Sequence, residues 1–399
     1  MTSVMIAFTF PGQGSQASGM GSSWTDHPSW ELVEEASEAS GRDVSQLLLN
    51  ADGDELRETR NSQLATYVVS MIVLDAVERT GLEPAFHAGH SLGEYSALTA
   101  AGAISFSAGV QLVTERGEAM QAAADATNGT MAAVLGLDDE KVDRACRRAD
   151  GEVWVANYNS AGQVVIAGDP DGIAKAGELA KEAGAKRVIP INVGGAFHTP
   201  FMSSARDRLR KALTEIDFRP PHRAVFSNVD ALPHSDASEW PGLLGAQLTS
   251  QVLWRHTLHA LEGAGTTVFL ELGPGTTLTG LVKRTVKGTT ALSVNTPADV
   301  NALLDSLSGT AERGGVAEGE RLYAVERLIV SPVTGVFEPV DGLATGQPIE
   351  RGQTVGTVGS VQVRSAFEGS LQGLLALAGE RVNTSQPLAW LRSGSLGSP

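Results

Sequence analysis

The segment GHSLG at residues 89–93 constrains the fold more than any other part of the sequence. A short apolar segment, 85–89, precedes the serine, and helix-forming residues, 94–101, follow it. This order predicts a strand, a tight turn and a helix, with Ser91 lifted into solvent on a sharp elbow. Ligands of α/β folds gather at the carboxyl ends of strands. We therefore expect an α/β domain with its site at Ser91.

Ser91 is a candidate nucleophile for acyl transfer. The N-terminal N–H groups of the following helix point at the turn and can stabilise an anion on a substrate carbonyl. The alternative is that a GxSxG pattern arises by chance in a chain with 45 glycines. Its position between a strand and a helix favours the functional interpretation.

A serine nucleophile needs a base, and the chain has 8 histidines. His198 lies in the turn GGAFHTP, from which a loop residue can reach across a cleft. We expect His90, the neighbour of Ser91, to point away from the hydroxyl. His256 and His259 have no matching cysteine or carboxylate pattern, so we interpret them as surface residues rather than metal ligands.

The pattern of elements changes between about residues 128 and 191. Apolar and charged segments alternate there in the order β-α-β-β-α-β, which predicts a small ferredoxin-like α+β subdomain inserted into the larger domain. The larger domain, residues 1–306, is expected to have a parallel-sheet core of the α/β-hydrolase type.

The C-terminal part predicts a separate small domain. Residues 307–320 are rich in Ser, Gly, Thr, Ala and Glu and predict a flexible linker. Short β-type segments split by glycines follow in 321–392, before a tail at 393–399. Residues 331–337 resemble 365–371, and 346–355 resemble 379–388. Two similar halves of about 33 residues predict a pseudo-symmetric all-β domain.

Charge and composition narrow the possible functions. A formal charge of -16 and a pI near 4.9 disfavour nucleic-acid binding. The single cysteine, Cys146, cannot form an internal disulfide, so a reducing compartment fits. The N-terminus has no signal-peptide pattern, and the most apolar helix candidate, 64–77, is shorter than the ~20 residues that a membrane span requires. We expect a cytoplasmic protein that does not enter a membrane.

Seven ordered motifs resemble the malonyl-CoA:acyl carrier protein transacylase family, which includes acyltransferase domains of fatty-acid and polyketide synthases. The resemblance covers about residues 4–300. The motifs are PGQGSQ (11–16), GHSLGEYSAL (89–98), ERGEAMQ (115–121), NYNSAGQVVIAG (157–168), GAFH (195–198), SNVD (227–230) and LELGPGTTLTGLVKR (270–284).

The resemblance implies a role for each matching residue. Ser91 is the nucleophile and His198 its base. A main-chain carbonyl at Gln247, rather than an acid, holds the second nitrogen of the histidine. The backbone N–H groups of Gln13 and Leu92 form the oxyanion hole.

Substrate choice is implied by two further positions. Arg116 matches the arginine that binds the acyl carboxylate in the family. A guanidinium can bind a malonyl carboxylate through two parallel hydrogen bonds. Without the resemblance, Arg116 could be a surface residue of a helix at 110–124. Phe197 matches a position at which a bulky ring favours malonyl over the branched methylmalonyl group.

The resemblance also implies the partners and cofactors. Malonyl-CoA and an acyl carrier protein are the expected partners, and no metal or redox cofactor is expected. The C-terminal domain weakly resembles the biotinyl/lipoyl hammerhead domain. The chain has no lysine after Lys287, which precedes this domain, so we expect neither biotin nor lipoate on it. A structural or docking role is favoured.

Two alternative functions stay open on the sequence. One is a hydrolase that uses the same nucleophile to release acyl groups as acids, against which Arg116 argues because it selects a dicarboxylic acyl group. The other is a scaffold that recruits a synthase component through the C-terminal domain, against which the intact set Ser91, His198, Arg116 and Gln13 argues.

Overall fold

The computed structural model describes residues 4–312, 326–340, 342–384 and 386–392. Its contacts divide the chain into two compact units. The first comprises Met1–Asp75 and Pro84–Leu303, and the second comprises Ala76–Glu83 and Leu304–Pro399. Among the described residues, no helix combines the length and apolar character needed to cross a membrane.

Residues 4–312 contain ten strands and twelve α-helices. In chain order they are β1 (Ile6–Phe10), α1 (Leu32–Ser40), α2 (Val44–Leu49), α3 (Thr59–Glu78), β2 (Phe86–Gly89), α4 (Gly93–Ala100), α5 (Phe106–Asp125), β3 (Thr130–Leu135), α6 (Asp139–Arg148), β4 (Val153–Ser160), β5 (Gln163–Gly168), α7 (Pro170–Glu182), β6 (Arg187–Ile191), α8 (Ser203–Thr214), β7 (Val225–Phe226), β8 (Pro233–His234), α9 (Trp240–Gln247), α10 (Trp254–Gly263), β9 (Val268–Leu272), α11 (Thr277–Thr285), β10 (Thr290–Val294) and α12 (Pro297–Glu312).

Six strands form the central sheet, in the order β10-β9-β1-β2-β7-β8. Neighbouring strands pair in parallel from β10 through β9, β1 and β2 to β7, whereas β8 is antiparallel to β7. Every residue of β1 is buried, as expected for the middle of a sheet covered on both faces. The expected α/β class is confirmed, but the parallel sheet has an antiparallel edge strand. The short hairpin between β7 and β8 allows that reversal.

The ends of β1 and β2 bring two loops together. Phe10 pairs with Gly89, so the segments that follow these residues leave the sheet side by side. A Cβ added to Gly12 would lie 2.4 Å from the carbonyl oxygen of His90, and one added to Gly93 would lie 2.1 Å from that of Phe10. Glycine is therefore required at both positions for the loops to approach this closely.

The predicted order of elements between residues 128 and 191 is confirmed. Strands β3 to β6 form an antiparallel sheet in the order β4-β5-β3-β6, and α6 and α7 pack on it around a core that includes Val134, Val142 and Ile166. Both helices begin at aspartate caps: Asp138 accepts a hydrogen bond from the backbone of Glu140, and Asp169 from that of Gly172.

The domain boundary predicted after residue 306 lies close to the division between Leu303 and Leu304, and the flexible linker at 307–320 stays a prediction. Helix α12 continues to Glu312, so the first six residues of the expected linker are helical. Residues 307–312 include the weak helix formers Gly309 and Thr310, but a helix already formed from Pro297 extends at little cost because each further residue adds a hydrogen bond. Residues 313–320 lie outside the described part of the chain.

The described C-terminal residues form eight strands: β11 (Glu326–Val330), β12 (Gly335–Pro339), β13 (Pro348–Ile349), β14 (Thr354–Val358), β15 (Val361–Arg364), β16 (Gly369–Leu374), β17 (Arg381–Val382) and β18 (Pro387–Arg392). They build two four-stranded sheets, ordered β11-β18-β16-β13 and β15-β14-β12-β17, whose pairings are antiparallel. An all-β structure is thus confirmed for the described residues of this part of the chain.

The two halves of this unit repeat the same hydrogen bonds. The Ser331 hydroxyl donates to the carbonyl of Val333 at 2.6 Å, and the Ser365 hydroxyl donates to that of Phe367 at 2.6 Å. Likewise, the N–H of Gly346 donates to Leu371, and that of Gly379 to Phe337. Matching bonds about 33 residues apart confirm the internal repeat.

We predict that Gly89→Ala destabilises the fold strongly. A Cβ at this position would lie 1.8 Å from the carbonyl oxygen of Gly93, so the elbow must open. We expect a loss of about 3 kcal/mol or more, measured by urea unfolding. Gly242→Ala is the control, because it lies in α9 with open space around its Cβ and should be neutral or stabilising by up to about 1 kcal/mol. Equal stability of the two variants would contradict the geometry of the elbow.

Candidate active site

The backbone at Ser91 is strained and is held by two side chains. Ser91 has φ 53°, in the left-handed region that non-glycine residues rarely adopt, at a cost on the order of 1–3 kcal/mol. The Asn228 side chain accepts from the Ser91 N–H at 2.6 Å and donates to the carbonyl of Gly89 at 2.6 Å. The Gln247 amide donates to the carbonyl of Ser91 at 2.9 Å. These bonds hold the elbow that presents the hydroxyl.

The structure brings Ser91 and His198 into contact. Ser91 Oγ lies 2.8 Å from His198 Nε2, and His198 Nδ1 lies 2.9 Å from the main-chain oxygen of Gln247, the last residue of α9. A carbonyl only accepts, so Nδ1 carries the proton and Nε2 offers its lone pair to the serine hydroxyl. The contact predicted between His198 and the Gln247 carbonyl is therefore present.

Burial keeps the His198 imidazole neutral. Removal from water, and next the positive charge of Arg116, lower the pKa of His198 to about 3, although the bond to Gln247 opposes the shift. The imidazole is thus unprotonated at neutral pH and able to accept a proton from Ser91. A general base requires this state.

Arg116 is the third group at the site. It projects from α5, is 1% exposed, and donates from Nη2 to Ser91 Oγ at 3.1 Å. Nη2 also donates to Gln247 Oε1 at 2.8 Å, and Nη1 donates to Gln63 Oε1 at 2.7 Å. Burial lowers the pKa of Arg116, but a guanidinium stays protonated in proteins. The alternative of a surface arginine is wrong.

Gln13 and Leu92 follow the paired strands β1 and β2 at the same edge of the sheet. Within residues 4–312, neither backbone N–H has an acceptor in the protein. Both are thus available to a substrate oxygen, and their role as oxyanion donors stays a prediction. Phe197 is 5% exposed, and its ring lies against Gly195. Its effect on acyl selection also stays a prediction.

Sequence reasoning assigned no role to three buried side chains that the structure places at the site. Asn228 and Glu94 occur in the motifs SNVD and GHSLGEYSAL, so the sequence contained a signal that could have identified them. Gln63 lies in the middle of α3 and carried none. The Glu94 carboxylate accepts from the N–H of Asn228 at 2.8 Å and from the amide of Gln247. Burial raises the pKa of Glu94 to about 7, against the effect of these donors and of Arg116.

His90 points away from Ser91, and His256 and His259 lie at the surface, as expected. His90 Nε2 bonds to Asn159 Oδ1 at 2.9 Å rather than to Ser91. His256 and His259 are exposed. Among the described residues, no group of three or more His, Cys, Asp or Glu side chains could hold a metal ion.

Known proteins resemble this chain over the same region. The acyl transferase domain family model matches residues 7–307. The malonyl CoA-acyl carrier protein transacylase of Bacillus subtilis is 40% identical over 307 residues, which cover 76% of this chain and 97% of that protein. The corresponding protein of Escherichia coli is 40% identical over 307 residues, covering 75% and 99%.

Two solved structures are also similar. An acyl carrier protein S-malonyltransferase from Vibrio cholerae matches with a TM-score of 0.72 at 41% identity, covering 75% of this chain and 99% of that one. A malonyl-transacylase in complex with a type II PKS acyl-carrier protein matches with a TM-score of 0.73 at 38% identity, covering 76% and 99%.

We predict that His198→Ala slows acylation of the enzyme about 10²–10⁴-fold, the usual contribution of a positioned general base. The exposed His256→Ala variant is the control and should keep native activity. Stopped-flow acylation and thermal unfolding should be measured on both. Native turnover by a folded His198→Ala variant would remove this residue from the mechanism, and early melting would indicate a structural role instead.

Proposed function

The chain belongs to the acyl transferase domain family, and we propose that it transfers malonyl from malonyl-CoA to the phosphopantetheine thiol of an acyl carrier protein through an ester on Ser91. One observation carries the proposal: the buried Arg116 guanidinium donates a hydrogen bond to the nucleophile itself. The relatives act, by their names, on malonyl-CoA and acyl carrier protein.

Arg116 supports malonyl as the acyl group. Its three hydrogen-bond partners are neutral oxygens, and within the described residues its Nε–H has no acceptor. A cation with no carboxylate in contact at a buried site favours an anionic ligand. Malonyl carries that carboxylate close to its thioester carbonyl, whereas acetyl offers no such partner.

In the first half-reaction, Ser91 attacks the thioester carbonyl of malonyl-CoA while His198 Nε2 takes the hydroxyl proton. The Oγ–Nε2 distance of 2.8 Å suits this transfer. The N–H groups of Gln13 and Leu92 stabilise the oxyanion. The intermediate then collapses, the C–S bond breaks, and His198 returns the proton to the coenzyme A thiolate. Malonyl remains as an ester on Ser91.

The second half-reaction reverses these steps with a new thiol. The phosphopantetheine thiol of the carrier protein gives its proton to His198 and attacks the ester carbonyl. When the C–O bond breaks, His198 protonates the Ser91 alkoxide, and the enzyme is restored. Exchange of an ester for a thioester needs no electron acceptor, and the N–H groups of Gln13 and Leu92 stabilise the oxyanion, so we propose that no metal or redox cofactor takes part.

The same site bears on the two alternatives. A hydrolase would pass the acyl group to water, and a scaffold would not need an aligned serine and histidine. The contact between Ser91 and His198 supports catalysis over a scaffold. The hydrogen bonds that hold the buried Arg116 guanidinium beside Ser91 support a transferase that selects a dicarboxylic acyl group over a hydrolase that removes acyl groups without selection.

We propose an α/β-hydrolase-like character for the main sheet, supported by the strand, elbow and helix around Ser91. We also propose that the C-terminal β unit is a hammerhead-type domain with a structural or docking role, possible partners including a synthase component. The turn between β14 and β15 has only two residues, Gly359 and Ser360. With no lysine after Lys287, the unit has no lysine for biotin or lipoate.

We predict that Arg116→Ala inverts the preference between acyl donors. The malonyl carboxylate would then be buried unpaired, whereas acetyl carries no charge and loses nothing. The malonyl-to-acetyl ratio of kcat/KM should fall by roughly 10²-fold or more, equivalent to ~3 kcal/mol of transition-state binding. The measurement is transfer from each donor to a carrier protein, with free malonate followed in parallel.

Arg208→Ala is the matched control, because this arginine pairs with Glu115 at the surface, away from Ser91. It should leave the ratio unchanged. Equal losses for both donors in Arg116→Ala would mean that the arginine supports the fold or binds coenzyme A phosphates, and would remove the support for malonyl.

A further inference from the structure

Glu94 is a fully buried carboxylate that does not contact the serine hydroxyl. It lies in the first turn of α4, and its side chain is 0% exposed. One oxygen accepts from the backbone N–H of Asn228 at 2.8 Å, and the other accepts from the side-chain amide of Gln247. Burying a carboxylate is costly unless it is paired or hydrogen-bonded, and these two donors meet that requirement.

The Gln247 amide has one orientation that satisfies all its neighbours. Its NH₂ group faces two acceptors, the Glu94 carboxylate and the carbonyl of Ser91. Its oxygen faces a donor, Nη2 of Arg116, at 2.8 Å. Rotation of the amide by half a turn would place its oxygen against the oxygens of Glu94 and Ser91, and its NH₂ group against the guanidinium of Arg116. Glu94 and the carbonyl of Ser91 together therefore fix which end of the amide Arg116 meets.

We propose that Glu94 is a positioning residue: it orients the Gln247 amide, and through that amide it holds Arg116 in place for the carboxylate of the acyl group. This inference rests on the proposed malonyl transfer. It adds that the Glu94 carboxyl group stands one amide away from the arginine. Among the described residues, no carboxylate occupies the hydrogen-bonding positions of Arg116 that a substrate needs.

The substitution Glu94→Gln tests the orientation. The new oxygen can still accept from Asn228, but the new NH₂ group would face the NH₂ group of Gln247. If the Gln247 amide rotates to relieve this conflict, it turns a donor toward Arg116 and displaces the guanidinium. Malonyl transfer should suffer more than acetyl transfer, because only malonyl uses Arg116.

The experiment is a double-mutant cycle on the full chain. Glu94→Gln, Gln247→Met and the double variant are assayed for kcat/KM with malonyl-CoA and acetyl-CoA, beside thermal unfolding. Methionine removes the amide but keeps the main-chain carbonyl that binds His198. Glu118→Gln is the acid-to-amide control, since Glu118 pairs with Arg60 on the surface of α5.

We expect each single variant to lower the malonyl-to-acetyl ratio at least about tenfold, and the double variant to lower it no further, because both act through one amide. Glu118→Gln should keep the native ratio. A native ratio in a folded Glu94→Gln variant, or additive losses in the double variant, would overturn the proposal.

If Glu94→Gln does not fold, Gln247→Met decides, since a native ratio there would equally overturn the role of the amide. Failure of the native enzyme to transfer malonyl in the same assay would instead overturn the proposed function.

Discussion

The Arg116 guanidinium is 1% exposed, and its hydrogen-bond acceptors among the described residues are neutral oxygens. It lies over the ring of Tyr95, and its acceptor Gln247 is hydrogen-bonded in turn to Glu94. The same glutamine supplies the carbonyl that binds His198 and a donor to the backbone of Ser91. Ser91, His198 and Arg116 therefore all contact one residue at the end of α9.

In the site, neutral side chains fix the geometry of the serine, whereas burial and charge set the protonation state of the histidine. Asn228 and Gln247 hold the strained elbow, so Ser91 itself need only present its hydroxyl. Burial and Arg116 lower the pKa of His198, which keeps the base neutral. A substrate carboxylate bound to Arg116 would cancel part of that positive charge and strengthen the base. Binding of the correct acyl group would thus favour the proton transfer that follows.

Much of the fold could be predicted from the sequence, because its signals are local. The order β-α-β-β-α-β predicted for residues 128–191 agrees with the structure, and aspartate caps account for the starts of its two helices. Helix α12 extends into the first six residues of the predicted linker, although they include the weak helix formers Gly309 and Thr310. The antiparallel edge strand β8 has only two residues and leaves no periodic signal.

At the site, the sequence indicated the residues whose chemistry is distinctive, Ser91, His198 and Arg116. The contacts around them join positions far apart in the chain, and no local pattern predicts such contacts. Asn228 and Glu94 occur in the motifs SNVD and GHSLGEYSAL, but these motifs do not indicate what the two side chains contact. Gln63, in the middle of a long helix, was recognisable only once the fold placed it beside Arg116.

Ser91 is the proposed carrier of the malonyl group, and peptide mass spectrometry after incubation with malonyl-CoA shows directly whether it is acylated. We expect a malonyl adduct on the peptide that contains Ser91, its transfer when a carrier protein is added, and its absence in Ser91→Ala. An adduct that persists in the alanine variant, or one lost as free malonate at the same rate with and without carrier protein, would rule out this role of Ser91.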